Sequence, residues 1–190
     1  MPAMRLGVIS VLSLFLLILT ATVPPVVPTG VYRTAAQYRR QQPAPACSDV
    51  RLSDKRGSLV VTQQRGPARL KTLVPLDSVW GYVNGNGRSY RLYRGEEFQI
   101  QQADTLSIYS FQHLSHGPYQ PSTGSYFFSR GLNGMIFPLT QKNLRLAYEA
   151  SNPAFVEAIK DLGFTQSLSD YDVAAGSFRV VKLYRSTLGK

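Results

Sequence analysis

Hydrophobic and polar residues alternate with a period of two through the middle of the chain. This period places successive side chains on opposite faces of an extended backbone, so it predicts half-buried β-strands. Asn84-Gly85-Asn86-Gly87 separates two such runs and predicts a hairpin, because tight hairpin turns need positive φ angles that Gly and Asn adopt readily. We expect an antiparallel meander of about six to eight strands. The predicted runs are 58–62, 69–74, 77–83, 88–93, 96–101, 105–110, 126–129 and 135–137.

The hydrophobic period changes to that of a helix after Pro138. Thr140 is placed to cap a first helix, and Asn152 to cap a second one in which Phe155 and Ile159 face the same side. Residues 177–185 fit either a strand or a helix, and we take a strand as the expectation. The predicted class is therefore α+β, with a β-meander followed by a C-terminal helical pair.

An uninterrupted apolar run extends from Leu6 to Val23, with Arg5 before it and Pro24 directly after it. Such a run near the N-terminus is typical of an export signal. Its 18 residues also approach the length that spans a bilayer. Residues 1–23 are therefore interpreted as a cleaved signal peptide or, alternatively, as a retained N-terminal anchor, and the rest of the protein as exported to the periplasm or cell envelope.

The composition divides residues 24–190 into two parts. Residues 24–56 are rich in Pro, Gln and Arg and predict a linker that carries a short docking segment. Residues 57–190 suffice for a single α+β domain. Cys47 is the only cysteine of the chain, so no internal disulfide is possible.

The formal net charge of the chain is +10. Outside the cytoplasm the polyanions that a basic protein meets are lipid headgroups, surface polysaccharides and cell-wall polymers, so nucleic acid is not an expected partner. A charged surface that serves only solubility is the alternative interpretation, and the favoured one.

The candidate chemistry is sparse. His113 and His116 lie three residues apart in a Gly/Pro-rich loop, but a zinc site needs further ligands that the loop does not supply. Glu96 and Glu97 are adjacent on a predicted strand and point to opposite faces, so they cannot flank one substrate atom. With Asp104 these groups form the obvious titratable centre of a possible hydrolase. No catalytic residue, cofactor or metal site is predicted.

One predicted strand combines basic and aromatic residues. If one of its faces were open, tyrosine rings beside arginines would offer a platform for sugar rings or an anionic polymer. The alternative is a cross-strand ladder in which the tyrosines pack inward and the arginines extend to solvent. The candidate binding residues are Arg88, Tyr90, Arg91, Tyr93 and Arg94.

Several short motifs of the chain form a recognisable series. They are Gly30-Val31-Tyr32, Val79-Trp80-Gly81-Tyr82, Tyr90-Arg91-Leu92-Tyr93 with Glu96-Glu97-Phe98, Tyr126-Phe127-Phe128-Ser129 and Pro138-Leu139-Thr140. In this series the chain resembles an uncharacterised family of exported proteins from Bacteroidota. The resemblance implies a shared compartment and fold, and it implies no catalytic or binding residue.

The sequence therefore favours a non-enzymatic exported envelope protein that binds a partner protein or an anionic envelope polymer. A hydrolase directed at envelope glycans is the main alternative. A membrane-anchored scaffold is the other, and it applies if the N-terminal run is retained.

Overall fold

The computed structural model describes residues 27–53, 57–112, 124–162 and 166–188. The predicted leader or anchor, residues 1–23, and the loop histidines His113 and His116 lie outside the described residues. The strands are β1 (Gly30–Tyr32), β2 (Asp49–Leu52), β3 (Ser58–Arg65), β4 (Ala68–Pro75), β5 (Gly81–Val83), β6 (Ser89–Tyr93), β7 (Glu96–Gln102), β8 (Leu106–Gln112), β9 (Gly124–Arg130), β10 (Phe137–Pro138), β11 (Tyr171–Asp172) and β12 (Ser177–Phe178). The helices are α1 (Ala35–Arg39), α2 (Gln141–Tyr148), α3 (Pro153–Lys160) and α4 (Arg179–Ser186), and a short 3-10 helix spans Leu76–Ser78.

The largest sheet of the described chain has seven strands in the order β1-β5-β6-β7-β8-β9-β10. All of its neighbouring strands are antiparallel. From β5 to β9 the strands follow one another both along the chain and across the sheet, which is the predicted meander. With the helices that follow it, the α+β class predicted from the sequence is confirmed.

The β5–β6 hairpin turns at the predicted Asn-Gly repeat. The side-chain oxygen of Asn84 accepts hydrogen bonds from the backbone N–H groups of Asn86 at 3.1 Å and Arg88 at 2.9 Å. Gly87 has a φ of 73°, a conformation that glycine adopts without strain. The local chemistry of the turn thus sets the register of the two strands.

Residues ahead of position 57 pack into the fold, although their composition predicts a linker. Strand β1 pairs with β5, and its residues Val31 and Tyr32 are fully buried. The predicted docking segment contains α1, whose N-terminus is capped by the side chain of Thr34. A Pro-rich segment can therefore still supply an edge strand, because edge pairing needs only a few hydrogen bonds.

A second sheet, β2-β3-β4, covers part of the main sheet. Its inner face contributes Val50, Leu59 and Val61 to a cluster that includes Val31 and Tyr82 of the main sheet. Its other face points away from this cluster, because paired residues of antiparallel strands share a face and successive residues along a strand point to opposite faces.

The predicted helical pair is present as α2 and α3. Thr140 accepts a hydrogen bond from the N–H of Asn143 at 3.2 Å, and Asn152 accepts one from Phe155 at 3.0 Å. Both capping residues are those predicted from the sequence. The helices pack on β8 and β9 in a cluster that includes Leu106, Ile108, Phe128, Leu144, Tyr148, Phe155 and Ile159.

Residues 177–185 form a short strand, β12, followed by α4, so the expectation of a last strand throughout is wrong. Val180 and Val181 are fully buried in the cluster beneath the helices. Lys182 and Arg185 point outward to carboxylates. Tertiary packing against α3 and the sheet therefore overrides the weak local preference of this segment.

Candidate functional site

The five residues of the predicted basic-aromatic surface do not form one open surface. Tyr90 stacks on Tyr82 with ring centroids 5.0 Å apart and an angle of 19° between the rings. Both rings contact the cluster beneath the second sheet. Arg91, one residue further along β6, points to the opposite face and is only 4% exposed.

Arg91 is held by uncharged partners. Its Nη1 donates to the hydroxyl of Tyr109 at 3.3 Å and to Oγ of Ser129 at 3.4 Å. The hydroxyls of Tyr109 and Ser129 lie 2.8 Å apart, and Ser129 donates to the carbonyl of Gly131 at 2.5 Å. Nε of Arg91 is buried and has no hydrogen-bond acceptor among the described residues. The network ties the main sheet to the loop after β9, and it leaves Arg91 inaccessible to a large ligand.

Tyr93 and Arg94 remain closer to solvent than Arg91. The guanidinium carbon of Arg94 lies 5.3 Å from the centre of the Tyr93 ring. Both residues line a cleft of about 570 Å³ between the β6–β7 turn and the end of β4, with Asp77 on its other side. Arg88 is exposed at the β5–β6 turn. The predicted set is therefore divided among a turn, a cleft, one half-buried position and one buried position.

The carboxylates considered for a hydrolase are separated by the length of a strand. Glu97 lies near the start of β7 and accepts a hydrogen bond from the hydroxyl of Tyr82 at 2.5 Å. That bond and the burial of the ring raise the pKa of Tyr82. Asp104 follows the end of β7, more than about 20 Å away at the usual rise of a strand. Asp104 pairs with Arg185 at that distant end of the strand. The two carboxylates therefore do not share a pocket.

The described residues offer neither a metal-binding group nor a reactive thiol. Within the described ranges, no three His, Cys, Asp or Glu side chains gather into a metal-binding group. Cys47 is half-buried, and burial raises the pKa of its thiol to about 11. Its thiol is therefore protonated at neutral pH, which makes it a poor nucleophile.

The outer face of β2-β3-β4, here called the basic sheet face, carries several exposed cations. The pairing register places its members on one side of the sheet: Asp49, Arg51, Val60, Thr62, Gln64, Arg69, Lys71 and Leu73. Its three cations, Arg51, Arg69 and Lys71, are all exposed. Arg69 and Lys71 are about 6.7 Å apart along β4, and the strand of Arg51 lies about 9.6 Å from β4, because β3 separates them.

The cations of this face have no ion-pair partner among the described residues. Its single carboxylate, on Asp49, instead accepts a hydrogen bond from the backbone N–H of Gly85 at 3.0 Å. Because no acidic side chain of the described residues pairs with Arg51, Arg69 or Lys71, their charge is directed to solvent.

Helix α4 differs from the basic sheet face, because each of its cations is paired. The ion pairs are Arg179 with Asp170, Lys182 with Asp172 and Arg185 with Asp104. Three of the chain's carboxylates are therefore used to attach α4 to the rest of the fold. Positive charge that is free to bind a ligand is concentrated elsewhere.

Sequence reasoning recognised the alternation of apolar and basic residues in β4 but interpreted it only as a strand signal. The same alternation places Arg69 and Lys71 on one face, which is a signal for a cationic surface. What the pattern does not reveal is that Arg51 of β2 lies on that face as well, since this depends on a pairing between strands.

Comparison with models of known protein families, with curated proteins and with solved structures finds nothing that matches this chain. Within the residues that the structure describes, no helix combines the length and the apolar character needed to cross a bilayer. The candidate site is therefore argued from its own geometry and charge.

Proposed function

We propose that the protein binds an anionic polymer of the cell envelope, and that the basic sheet face holds it. The observation that carries this proposal is the group of exposed and unpaired cations on Arg51, Arg69 and Lys71. Unpaired like charges on one face repel each other, and a polyanion laid across them removes that repulsion.

The shape of the face suits a polymer better than a small ligand. All residues of β4 are exposed except the half-buried Val74, so the outer strand is accessible along its length. A flat cationic surface makes several weak contacts with successive charges of a chain, each worth less than about 1 kcal/mol at an exposed position. Their sum gives useful affinity only when the ligand is long and multiply charged.

The uncharged members of the face add contacts that a saccharide polymer would use. Thr62 and Gln64 carry hydrogen-bonding groups between the cations, and Leu73 is 56% exposed beside them. Hydroxyl groups of a sugar meet the polar side chains, whereas its C–H surface meets the leucine. We therefore propose a carboxylated or phosphorylated polysaccharide as the class of ligand.

The envelope is proposed on the basis of the apolar run from Leu6 to Val23. Intact-mass measurement of the protein recovered from its native cell would locate the processing site. A mass lacking the run supports a cleaved signal peptide, and a mass that retains it supports the anchored alternative.

Binding to immobilised polygalacturonate, a carboxylated polysaccharide, tests the proposal. The protein should bind it and should not bind neutral dextran. The double variant Arg69→Ala/Lys71→Ala should weaken binding by about tenfold or more, whereas Arg39→Ala/Arg40→Ala removes the same charge at the C-terminal end of helix α1 and should preserve binding.

The salt dependence separates specific surface binding from other modes. Affinity should fall steeply between about 50 and 200 mM salt, because screening and counterion release weaken contacts between exposed charges. Equal losses in the two double variants would instead assign the effect to net charge alone and would overturn the proposed site. Binding that ignores salt would overturn the electrostatic basis of the proposal.

A further inference from the structure

A separate groove lies between helices α2 and α3, on the part of the molecule formed by the C-terminal helices. It encloses about 250 Å³ and is lined by Gln141, Lys142 and Arg145 of α2 and by Val156, Ile159 and Lys160 of α3. Gln141 donates to the carbonyl of Ile159 at 3.5 Å, which joins the first turn of α2 to the last turn of α3 at this end of the groove.

The floor of the groove is apolar and firmly packed. Val156 is 5% exposed and Ile159 is 2% exposed. Both belong to the cluster that contains Leu144 and Phe155, beneath the helices. A floor that is part of the core keeps its shape when a ligand arrives, so the groove is already formed before binding.

The rim of the groove is cationic. Lys142 and Arg145 are exposed and have no ion-pair partner in the described part of the chain. They are three residues apart on α2, which places their Cβ atoms about 5–6 Å from each other. Lys160 on the opposite side pairs with Glu157 at 2.6 Å. Two adjacent cations above an apolar floor are complementary to a molecule with one anionic end and one apolar body.

We propose that this groove binds a small organic carboxylate, whose apolar body rests on Val156 and Ile159 and whose carboxylate meets Lys142 and Arg145. The volume limits the size of this ligand. A cavity of about 150 Å³ holds benzene, so about 250 Å³ accommodates the body of an aromatic or short aliphatic acid. The charge and the apolar surface act together, so neither half of the ligand should bind well alone.

Three small compounds that differ in whether they carry a ring and a carboxylate test this proposal on the full chain. Phenylacetate has both the ring and the carboxylate, 2-phenylethanol has the ring without the charge, and acetate has the charge without the ring. Titrations followed by amide chemical shifts should give saturable changes in α2 and α3 for phenylacetate. The other two compounds should bind at least about tenfold more weakly, since each lacks one of the two contacts.

A variant that lacks the two rim cations tests whether they bind the carboxylate of the ligand. Lys142→Ala/Arg145→Ala alters two exposed positions and is expected to fold, which circular dichroism verifies. It should lower the affinity for phenylacetate by about tenfold. Arg39→Ala/Arg40→Ala should leave that affinity unchanged and serves as the matched control.

Two results would overturn the inference. Equal affinities for acetate and phenylacetate would show that the apolar floor takes no part. Unchanged phenylacetate binding in Lys142→Ala/Arg145→Ala would place the ligand elsewhere. Either result leaves polymer binding by the basic sheet face unaffected, because the two sites share no residue.

Discussion

Arg91 donates a hydrogen bond to the hydroxyl of Tyr109 across 3.3 Å inside the fold, where Arg91 is 4% exposed and Tyr109 is fully buried. The guanidinium carbon of Arg91 also lies 5.8 Å from the centre of the Tyr109 ring. A buried cation normally requires a carboxylate, because its desolvation costs several kcal/mol. Here hydroxyl groups and aromatic rings surround the guanidinium of Arg91 where a carboxylate would be usual. Substitutions in this network measure its contribution to the free energy of unfolding.

Removal of either of two buried tyrosine hydroxyls should affect the free energy of unfolding differently. Tyr109→Phe deletes the contacts to Arg91 and Ser129, so the free energy of unfolding should fall by about 1–3 kcal/mol. The hydroxyl of Tyr148 is buried and has no hydrogen-bond partner within the described part of the chain, so Tyr148→Phe should leave stability unchanged or increase it. Urea unfolding of both variants measures the difference. Equal losses would show that the two hydroxyls are equivalent.

Replacement of the buried cation itself should be well tolerated. Arg91→Met keeps the length of an apolar side chain and removes the desolvated charge, while Tyr109 and Ser129 stay bonded to each other at 2.8 Å. We expect stability within about 1 kcal/mol of the parent protein. Arg91→Lys retains a buried charge without the planar group that faces Tyr93, and it should be the less stable variant. The reverse order in chemical unfolding would contradict this account.

The thiol of Cys47 should react slowly in the folded protein. Burial raises the pKa of this thiol to about 11. It outweighs a hydrogen bond from the backbone of Asp49, which lowers the pKa. Since the thiolate is the nucleophile, alkylation by iodoacetamide at about pH 8 should be about a hundredfold slower than for an ordinary cysteine, whose pKa is about 8.5. Mass spectrometry measures the rate of alkylation in native buffer and in denaturant, and the two rates are compared. Equal rates in both would refute the prediction.

The ion pair between Asp104 and Arg185 should stabilise the fold only above the acid range. Burial raises the pKa of Asp104, but hydrogen bonds from Thr105 and Arg185 outweigh it and hold that pKa below its usual value. The contribution is therefore complete above about pH 4 and is lost as the pH falls through the lowered pKa of the folded state.

Asp104→Asn removes this pH dependence. It should reduce stability by about 1 kcal/mol at neutral pH and by progressively less in strong acid, where the parent carboxyl is also protonated. Unfolding curves collected from about pH 2 to pH 7 measure this trend. A constant difference at all pH values would show that the carboxylate charge does not contribute. Glu157→Gln alters an exposed pair on α3 and provides the control.

Local sequence chemistry was sufficient for the parts of the fold that are held by neighbours along the chain. The turn at Asn84 and the caps at Thr140 and Asn152 appear where they were predicted, because each depends on hydrogen bonds within four residues. The period of two in the middle of the chain likewise predicted the meander, since consecutive strands pair with each other.

The sequence by itself determined the class, the central meander followed by a helical pair, and the excess of positive charge, because these follow from local periodicity and composition. Only the tertiary structure decided where that charge is available. It buried Arg91 against Tyr109, paired the cations of α4 with carboxylates, and placed Arg51 on the same face of the second sheet as Lys71. Those outcomes depend on contacts between residues far apart in sequence, and the alternation along one strand carries no information about which strand will lie next to it.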